Sequence, residues 1–422
     1  MTLQVCSEVG RLRRVLVHQP GYEIDWMVPS MMERLLFDDI LDGRLARREH
    51  ENFRFVLAAA GVEILEPQEL LAEVLADDAA REDVLQELER DYAVAAEVLR
   101  ELEVMDPEPL AAALVTGLCA PDPEHPDGRL HTFYRLPPVP NYFFQRDPQV
   151  VIGDRVLIAS MATAARGREP LLARTIFAGH PALAGWRDLF RLTAPDVRRA
   201  HPPRLEGGDV LIPSPEVILV GISERTDLWG AEALARYLRR QETSFRHLIV
   251  VELPRKRSYM HLDTVFTFID HGLCLAYLPA IASGGSEAGH VNAIDLAAPR
   301  LTYTVCDSLP QALADVGIEV ELVPCGGSRR LIDQQREQWT DGANAFAVAP
   351  GVIVLYQRNR ATVEELAGRG FRVLAEEDVI AGRVELLGHG PTIVTLGGHE
   401  LSRARGGPRC MTMPLERDPV DA

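Results

Sequence analysis

Apolar and polar positions follow two rhythms along this chain of 422 residues. In four places a short β-rich apolar run meets a tight turn and then a second apolar run. RDPQVVIGDRVLIAS (146–160) turns at Gly153-Asp154, and EGGDVLIPSPEVILVG (206–221) turns at Ser214-Pro215. HLDTVFTFIDHGLCLAYL (261–278) turns near Asp270 to Gly272, and DGANAFAVAPGVIVLY (341–356) turns at Pro350-Gly351. Each pattern predicts a β-hairpin with polar or acidic residues leading into it. A fifth strand-like run, RLRRVLVHQPG, lies near the start, and stretches such as GAEALARYLRRQ carry the helical period. The alternation predicts an α/β fold in which one hairpin-and-helix unit recurs. Closing such units into a ring would protect strand edges and gather the leading residues near the axis. An open mixed sheet, with those residues as ordinary strand-end polar groups, fits the same pattern.

A different rhythm occupies 67–119. Apolar residues at helical spacing on a strongly acidic background predict two or three amphipathic helices, their charge a solvated face. We read 67–137 as an inserted helical domain and linker that ends in the proline-rich PDPEHPDG and LPPVPN. The remainder, 1–66 and 138–422, is expected to form the α/β domain.

With 47% hydrophobic and 25% charged residues, the composition is that of a soluble globular protein. A formal charge of -18 argues against nucleic acid or an anionic membrane as partner, since both are held by basic surfaces. A small cationic substrate suits that field. No run approaches the roughly 20 apolar residues of a membrane span, and the first residues show no secretory pattern, so a cytoplasmic location is expected. The six cysteines are far apart, without a CxxC pair, and are expected to be free thiols. Cys6, Cys119, Cys274 and Cys306 sit in or beside apolar segments and are expected in the core. Cys325, in PCGGSRR, would also suit a loop. Cys410 is set differently: in RARGGPRCMTMPL it follows two glycines, a proline and three arginines, which suggests chemistry.

In HLD, His261 and Asp263 would share one face of a strand. In LEGGDV, two glycines between Glu206 and Asp209 permit close backbone approach, and Asp147 in FFQRDP leads its own hairpin in the same way. Taken singly, these are ordinary strand-surface pairs and turns. Together with Cys410 they make a thiol, an imidazole and several carboxylates, a set that demands a cationic partner with many donors. A guanidinium fits: its planar fork matches two carboxylates, and its electron-poor carbon is open to a thiolate. A metal ion is the rival occupant, although none of the common zinc spacings is present.

At these residues the chain resembles bacterial arginine deiminases, of the guanidine-modifying (pentein) superfamily. The likeness runs through SEVGRLRRVLVHQPG, ERLLFDDI, PNYFFQRDP, ARGREP, LEGGDV, VGISERT, MHLDTVF and RGGPRCMTMPLERDP, over nearly the whole length. It implies a five-bladed α/β propeller with an inserted helical domain. It also implies a hydrolase that converts L-arginine and water to L-citrulline and ammonia, without a cofactor or metal, through a covalent amidino intermediate. On the matching positions Cys410 is the nucleophile, His261 the general acid and base, and Glu206 its companion. Asp147 and Asp263 grip the guanidinium. Asn141, Arg166, Arg225 and Arg405 hold the amino-acid end; without the resemblance, surface salt bridges would be the reading of those arginines. Asp209 takes a structural or orienting role. A homo-oligomer is expected for an enzyme of this sort, although no interface motif is visible. The alternatives are another guanidine-modifying hydrolase or an amidinotransferase on the same scaffold, an inactive arginine-binding protein, and metal-dependent hydrolysis. Two departures bear on substrate positioning and pH dependence: Gln145 stands where many members have Thr, and Pro408-Arg409 where some have Gly-His.

Overall fold

The computed structural model describes residues 3–121, 133–183, 189–191, 202–241 and 243–420. All four hairpins form, as antiparallel pairs Gln149–Ile152 with Arg155–Ile158, Val210–Ser214 with Val217–Ile222, Phe266–Asp270 with Leu273–Ala276, and Phe346–Ala349 with Val352–Tyr356. Their apolar runs are continuous because both faces are covered; every residue of Phe346–Ala349 and Val352–Tyr356 is buried.

The second strand of each hairpin pairs in parallel with a later strand, reached across a helix. Arg168–Gly179, Leu228–Arg240, Leu309–Ala314 and Arg360–Gly368 are those helices. The strand Leu12–Leu16 completes a fifth unit of the same plan. It pairs antiparallel with Met413–Arg417 and, across the helix Gly43–Ala59, parallel with Glu63–Leu65. The hairpin of this unit is therefore assembled from opposite ends of the sequence. The result is a mixed α/β fold.

The acidic segment forms four helices, Pro67–Leu75, Asp78–Tyr92, Ala96–Glu103 and Pro107–Thr116, rather than two or three. The extra breaks have local causes: Asp77 caps the second helix by accepting from the Ala80 N–H, left-handed Ala93 ends it, and Pro107 opens the fourth. Their apolar faces share one core with the helix Arg168–Gly179 and the first hairpin, through Leu71, Leu75, Leu114, Leu172 and Val156. Most of the proline-rich stretch, 122–128, lies outside the described residues.

All six cysteines are free, but their burial departs from expectation. Cys274 is buried, whereas Cys119 is exposed and Cys6 and Cys306 are intermediate; Cys119 and Cys306 lie in strands at sheet edges, where one side stays open. Cys325 lies in the turn after the strand Glu321–Pro324, as its glycine-rich setting suggested, but is fully buried. No helix among the described residues is long and apolar enough to cross a membrane.

Candidate functional site

The residues that lead into the hairpins meet. Asp147 precedes the first hairpin, Glu206 and Asp209 the second, His261 and Asp263 the third, Asp341 and Asn344 the fourth, and Cys410 the strand Met413–Arg417. Asn141, Asp147, Arg166, Arg225, His261, Arg405 and Cys410 line one narrow pocket. Glu206 and Asp263 stand just behind its wall, fully buried, in contact with His261 and Cys410 respectively.

His261 Nε2 lies 2.9 Å from Glu206 Oε2, and its Nδ1 lies 3.6 Å from Asp147 Oδ1. Burial alone would push the imidazole down. The charge of Asp147 and the hydrogen bond to Glu206 outweigh it and push the pKa up to about 9. Burial would likewise raise Glu206, but the hydrogen bond from His261 and the charges of Arg225, His261 and Arg166 hold it down to about 2. The imidazole is thus a cation at neutral pH, with a proton to give.

The glycines of LEGGDV are needed for this packing. A Cβ on Gly208 would sit 2.6 Å from His261 Nδ1 and 2.9 Å from Asp147 Oδ1. Gly208→Ala is expected to turn the ring away from its two carboxylates and lower kcat by about 10- to 100-fold, because small misplacements of a proton donor are costly. Steady-state kinetics on folded variant, its integrity checked by circular dichroism, measures this.

Asp263 departs from the strand geometry expected of HLD. Residues Leu262–Thr264 form a 3-10 turn, so the imidazole and the carboxylate do not share a strand face. His261 faces Glu206 and Asp147, while Asp263 faces Cys410 and Arg409. Local hydrogen bonds favour the turn: Asp209 Oδ1 accepts the Leu262 N–H at 2.8 Å, and Thr264 Oγ1 donates to the His261 carbonyl at 2.6 Å. Asp209 also accepts from Ser223 Oγ at 2.7 Å, and Ser223 in turn accepts the Arg225 N–H. Asp209 therefore ties together the two loops that carry His261 and Arg225. Burial pushes its carboxyl up to about 7.

Cys410 Sγ lies 3.6 Å and 3.9 Å from the two oxygens of Asp263. Its N–H donates to Asn344 Oδ1 at 3.0 Å, and Asn344 Nδ2 donates to the Asp263 carbonyl at 3.0 Å, which fixes sulfur and carboxylate relative to one another. The preceding glycine pair lets this loop run close to its neighbours. A Cβ on Gly406 would sit 2.2 Å from the Phe144 ring, and one on Gly407 would sit 2.7 Å from Asn344 Oδ1. Burial, then the charges of Asp263, Asp147 and Asp341, push the thiol well above its ordinary pKa, against a smaller pull from Arg409.

The three nominated arginines are buried, which replaces the surface reading. Arg166 donates to Asp147 Oδ2 at 2.5 Å and to both oxygens of Glu169. Among the described residues Arg225 Nε and all three side-chain nitrogens of Arg405 have no hydrogen-bond partner, and the Arg405 guanidinium lies 3.4 Å over the Trp339 ring. Asn141 Nδ2 donates to the Leu35 carbonyl at 2.8 Å, which orients its side chain.

Four further residues of the site escape sequence reasoning. Asn344 and the left-handed, buried Asp341 belong to DGAN, which leads the fourth hairpin as the other motifs lead theirs; the recurrence itself was the missed signal. Glu169 follows Arg166 at the helical spacing. Arg409 was visible only as a departure from the family pattern. Among the described residues no group of three or more His, Cys, Asp or Glu side chains has metal-holding geometry.

A protein-family model described as arginine deiminase matches residues 33–417. Curated arginine deiminases of Clostridium perfringens and Staphylococcus haemolyticus are each 35% identical to the chain, over 99% of it and 98% and 99% of their own lengths. Among solved structures, an amidinotransferase of the saxitoxin pathway from Microseira wollei is similar with a TM-score of 0.54, covering 99% of this chain and 98% of its own at 15% identity; that likeness speaks for the fold alone. With a family match over most of its length and relatives at this identity, the chain belongs to the arginine deiminase family.

Proposed function

We propose that this protein hydrolyses L-arginine to L-citrulline and ammonia, with Cys410 as nucleophile and His261 as general acid and base. One observation carries the reading. One pocket joins a thiol, an imidazolium and carboxylates to the Arg405 guanidinium and the Arg225 Nε, which have no hydrogen-bond partner among the described residues. Carboxylates call for a cation and free arginines for an anion, and L-arginine carries one at each end.

Asp147 and Asp263 take the substrate guanidinium, while Arg225 and Arg405 meet its carboxylate, with Asn141 beside them. Arg166 departs from the carboxylate-binding role expected of it: engaged by Asp147 and Glu169, it aims Asp147 at the guanidinium. Burial, and then the carboxylates, keep the Cys410 proton on before substrate binds. A bound guanidinium offsets their charge, so the thiol loses its proton to solvent as substrate arrives. The thiolate attacks the guanidinium carbon, and His261 protonates the departing amine, which leaves as ammonia. The sulfur is then bonded to the amidino carbon. His261, now neutral, takes a proton from water; the hydroxide adds to that carbon, the carbon–sulfur bond breaks as the hydroxyl proton passes to the sulfur, and citrulline departs. Glu206 keeps the imidazole oriented through both transfers.

We further infer that the five units stand as the blades of a propeller with this cavity at its axis, and that 67–137 is a helical domain inserted between the first two. The recurrence of one strand plan five times supports this, as does the delivery of a site residue by each unit.

The test compares L-arginine with agmatine, which lacks the carboxylate. Citrulline and ammonia are expected from arginine, and kcat/KM for agmatine is expected to be lower by at least about 100-fold, the loss of charge-assisted contacts in a buried site. A preference for agmatine would remove Arg225 and Arg405 from their assigned roles.

A further inference from the structure

A buried charged cluster adjoins Asp263 that the mechanism does not use. Arg409, 1% exposed, donates from Nη1 to Asp263 Oδ2 at 2.8 Å and from Nη2 to the Val210 carbonyl at 2.9 Å. Its Nε and Nη2 also donate to the two oxygens of Glu8, at 3.0 Å and 3.1 Å, a bidentate fork. Glu8 is fixed in its own right, because Oε1 accepts the Ile212 N–H at 3.0 Å. The oxygen that Arg409 holds is the one 3.6 Å from the Cys410 sulfur.

We infer that Arg409, clamped by Glu8, is a positioning residue: it anchors Asp263 Oδ2 beside the Cys410 sulfur and leaves Oδ1 for the substrate guanidinium. The inference rests on the reaction proposed above. A carboxylate and a thiolate this close repel each other, and an adjacent cation offsets that repulsion without occupying the cavity. An arginine suits the task better than a histidine, because it keeps its charge at every working pH.

The surrounding charges agree. Arg146 donates through its N–H to the Cys410 carbonyl and through Nε to the Arg409 carbonyl, and Arg417 donates to the carbonyls of Gly10 and Ala347. Burial pushes Arg146 down to about 9 and Arg417 down to about 10. For Arg409 the charges of Glu8 and Asp263 outweigh burial and push it up instead. Burial opposes the ionised form of Glu8, but Arg409 and Arg146 hold it down to about 2. Of the groups on Cys410, Asp263, Asp147 and Asp341 oppose the thiolate, while Arg409 favours it.

Full-length Glu8→Gln, Arg409→Lys and Arg409→His variants test this. Two readouts apply: kcat and KM for L-arginine across pH, and the pH dependence of Cys410 alkylation, followed on its own peptide by mass spectrometry. Glu8→Gln keeps the shape and the acceptor for Ile212, so it remains informative if an arginine variant does not fold. Glu8→Gln and Arg409→Lys are expected to lower kcat by about tenfold or more with KM changed less than about threefold, and to move Cys410 alkylation to higher pH. Arg409→His is expected to lose activity as its imidazole deprotonates, at a pH at least about one unit below the wild-type alkaline limb. Wild-type kcat and an unmoved alkylation profile in Glu8→Gln and Arg409→Lys would overturn the inference, and so would lowered kcat with an unmoved profile. If wild type made no citrulline, the reaction would fall, while the alkylation profile would still decide on the clamp.

Discussion

Replacing Cys410 with alanine is expected to lower citrulline and ammonia formation from L-arginine by at least about 10⁴-fold, because the step that bonds the substrate to the protein is lost. The substitution leaves the main-chain hydrogen bond to Asn344 in place and removes a thiol that the site holds neutral, so no buried charge loses its partner. Folding should therefore survive, which circular dichroism and thermal unfolding verify. Wild type treated with a thiol-alkylating reagent should lose activity in step with modification of Cys410, and arginine should protect it by filling the cavity. A chelator should change nothing. Normal turnover by the alanine variant, or loss of activity with the chelator, would instead favour water activated by a metal ion.

His261→Gln is expected to be nearly as damaging, with kcat lower by about 10²- to 10⁴-fold, the span of a positioned acid and base. Glutamine can still donate to Glu206, so the loss reports proton transfer rather than a collapsed pocket. The pH profile adds a second check. With the imidazole pushed up to about 9, wild type carries its proton through the neutral range, and the acid role fails as pH rises through that value. The variant should lack that limb. The same shift has a consequence for stability. A histidine whose folded pKa lies above its ordinary 6.5 stabilises the fold fully below that pH, and its contribution is lost as pH rises through about 9. Unfolding of wild type and variant should therefore differ most in mildly acidic buffer and converge in alkaline buffer.

Reading the sequence located the hairpins well, because a covered strand must be apolar on both faces and a tight turn needs residues such as Gly153-Asp154 or Pro350-Gly351. It also nominated Asp147, Glu206, His261 and Asp263 through their shared place ahead of a strand, and Cys410 through its glycine-rich setting, whereas Asn141, Arg166, Arg225 and Arg405 came only from the family resemblance. It misjudged HLD, because strand alternation assumes a strand, and the side chain of Asp209 supplies a hydrogen bond that makes a turn there instead. The burial of Cys119 was misjudged for a related reason: an apolar neighbourhood in sequence does not say whether a strand lies at an edge.

Local pattern determined the elements, the order of the units and the chemical types available to the site, since each depends on residues a few positions apart. Only the tertiary structure decided which groups pair. Arg166 could have met any acid in the chain, yet it is shared between Asp147 and Glu169. Glu8 and Arg409 lie at opposite ends of the sequence and form one clamp, because the strand Leu12–Leu16 pairs with Met413–Arg417. Charge and burial act through space, and spacing along a chain carries no measure of that distance until the chain has folded.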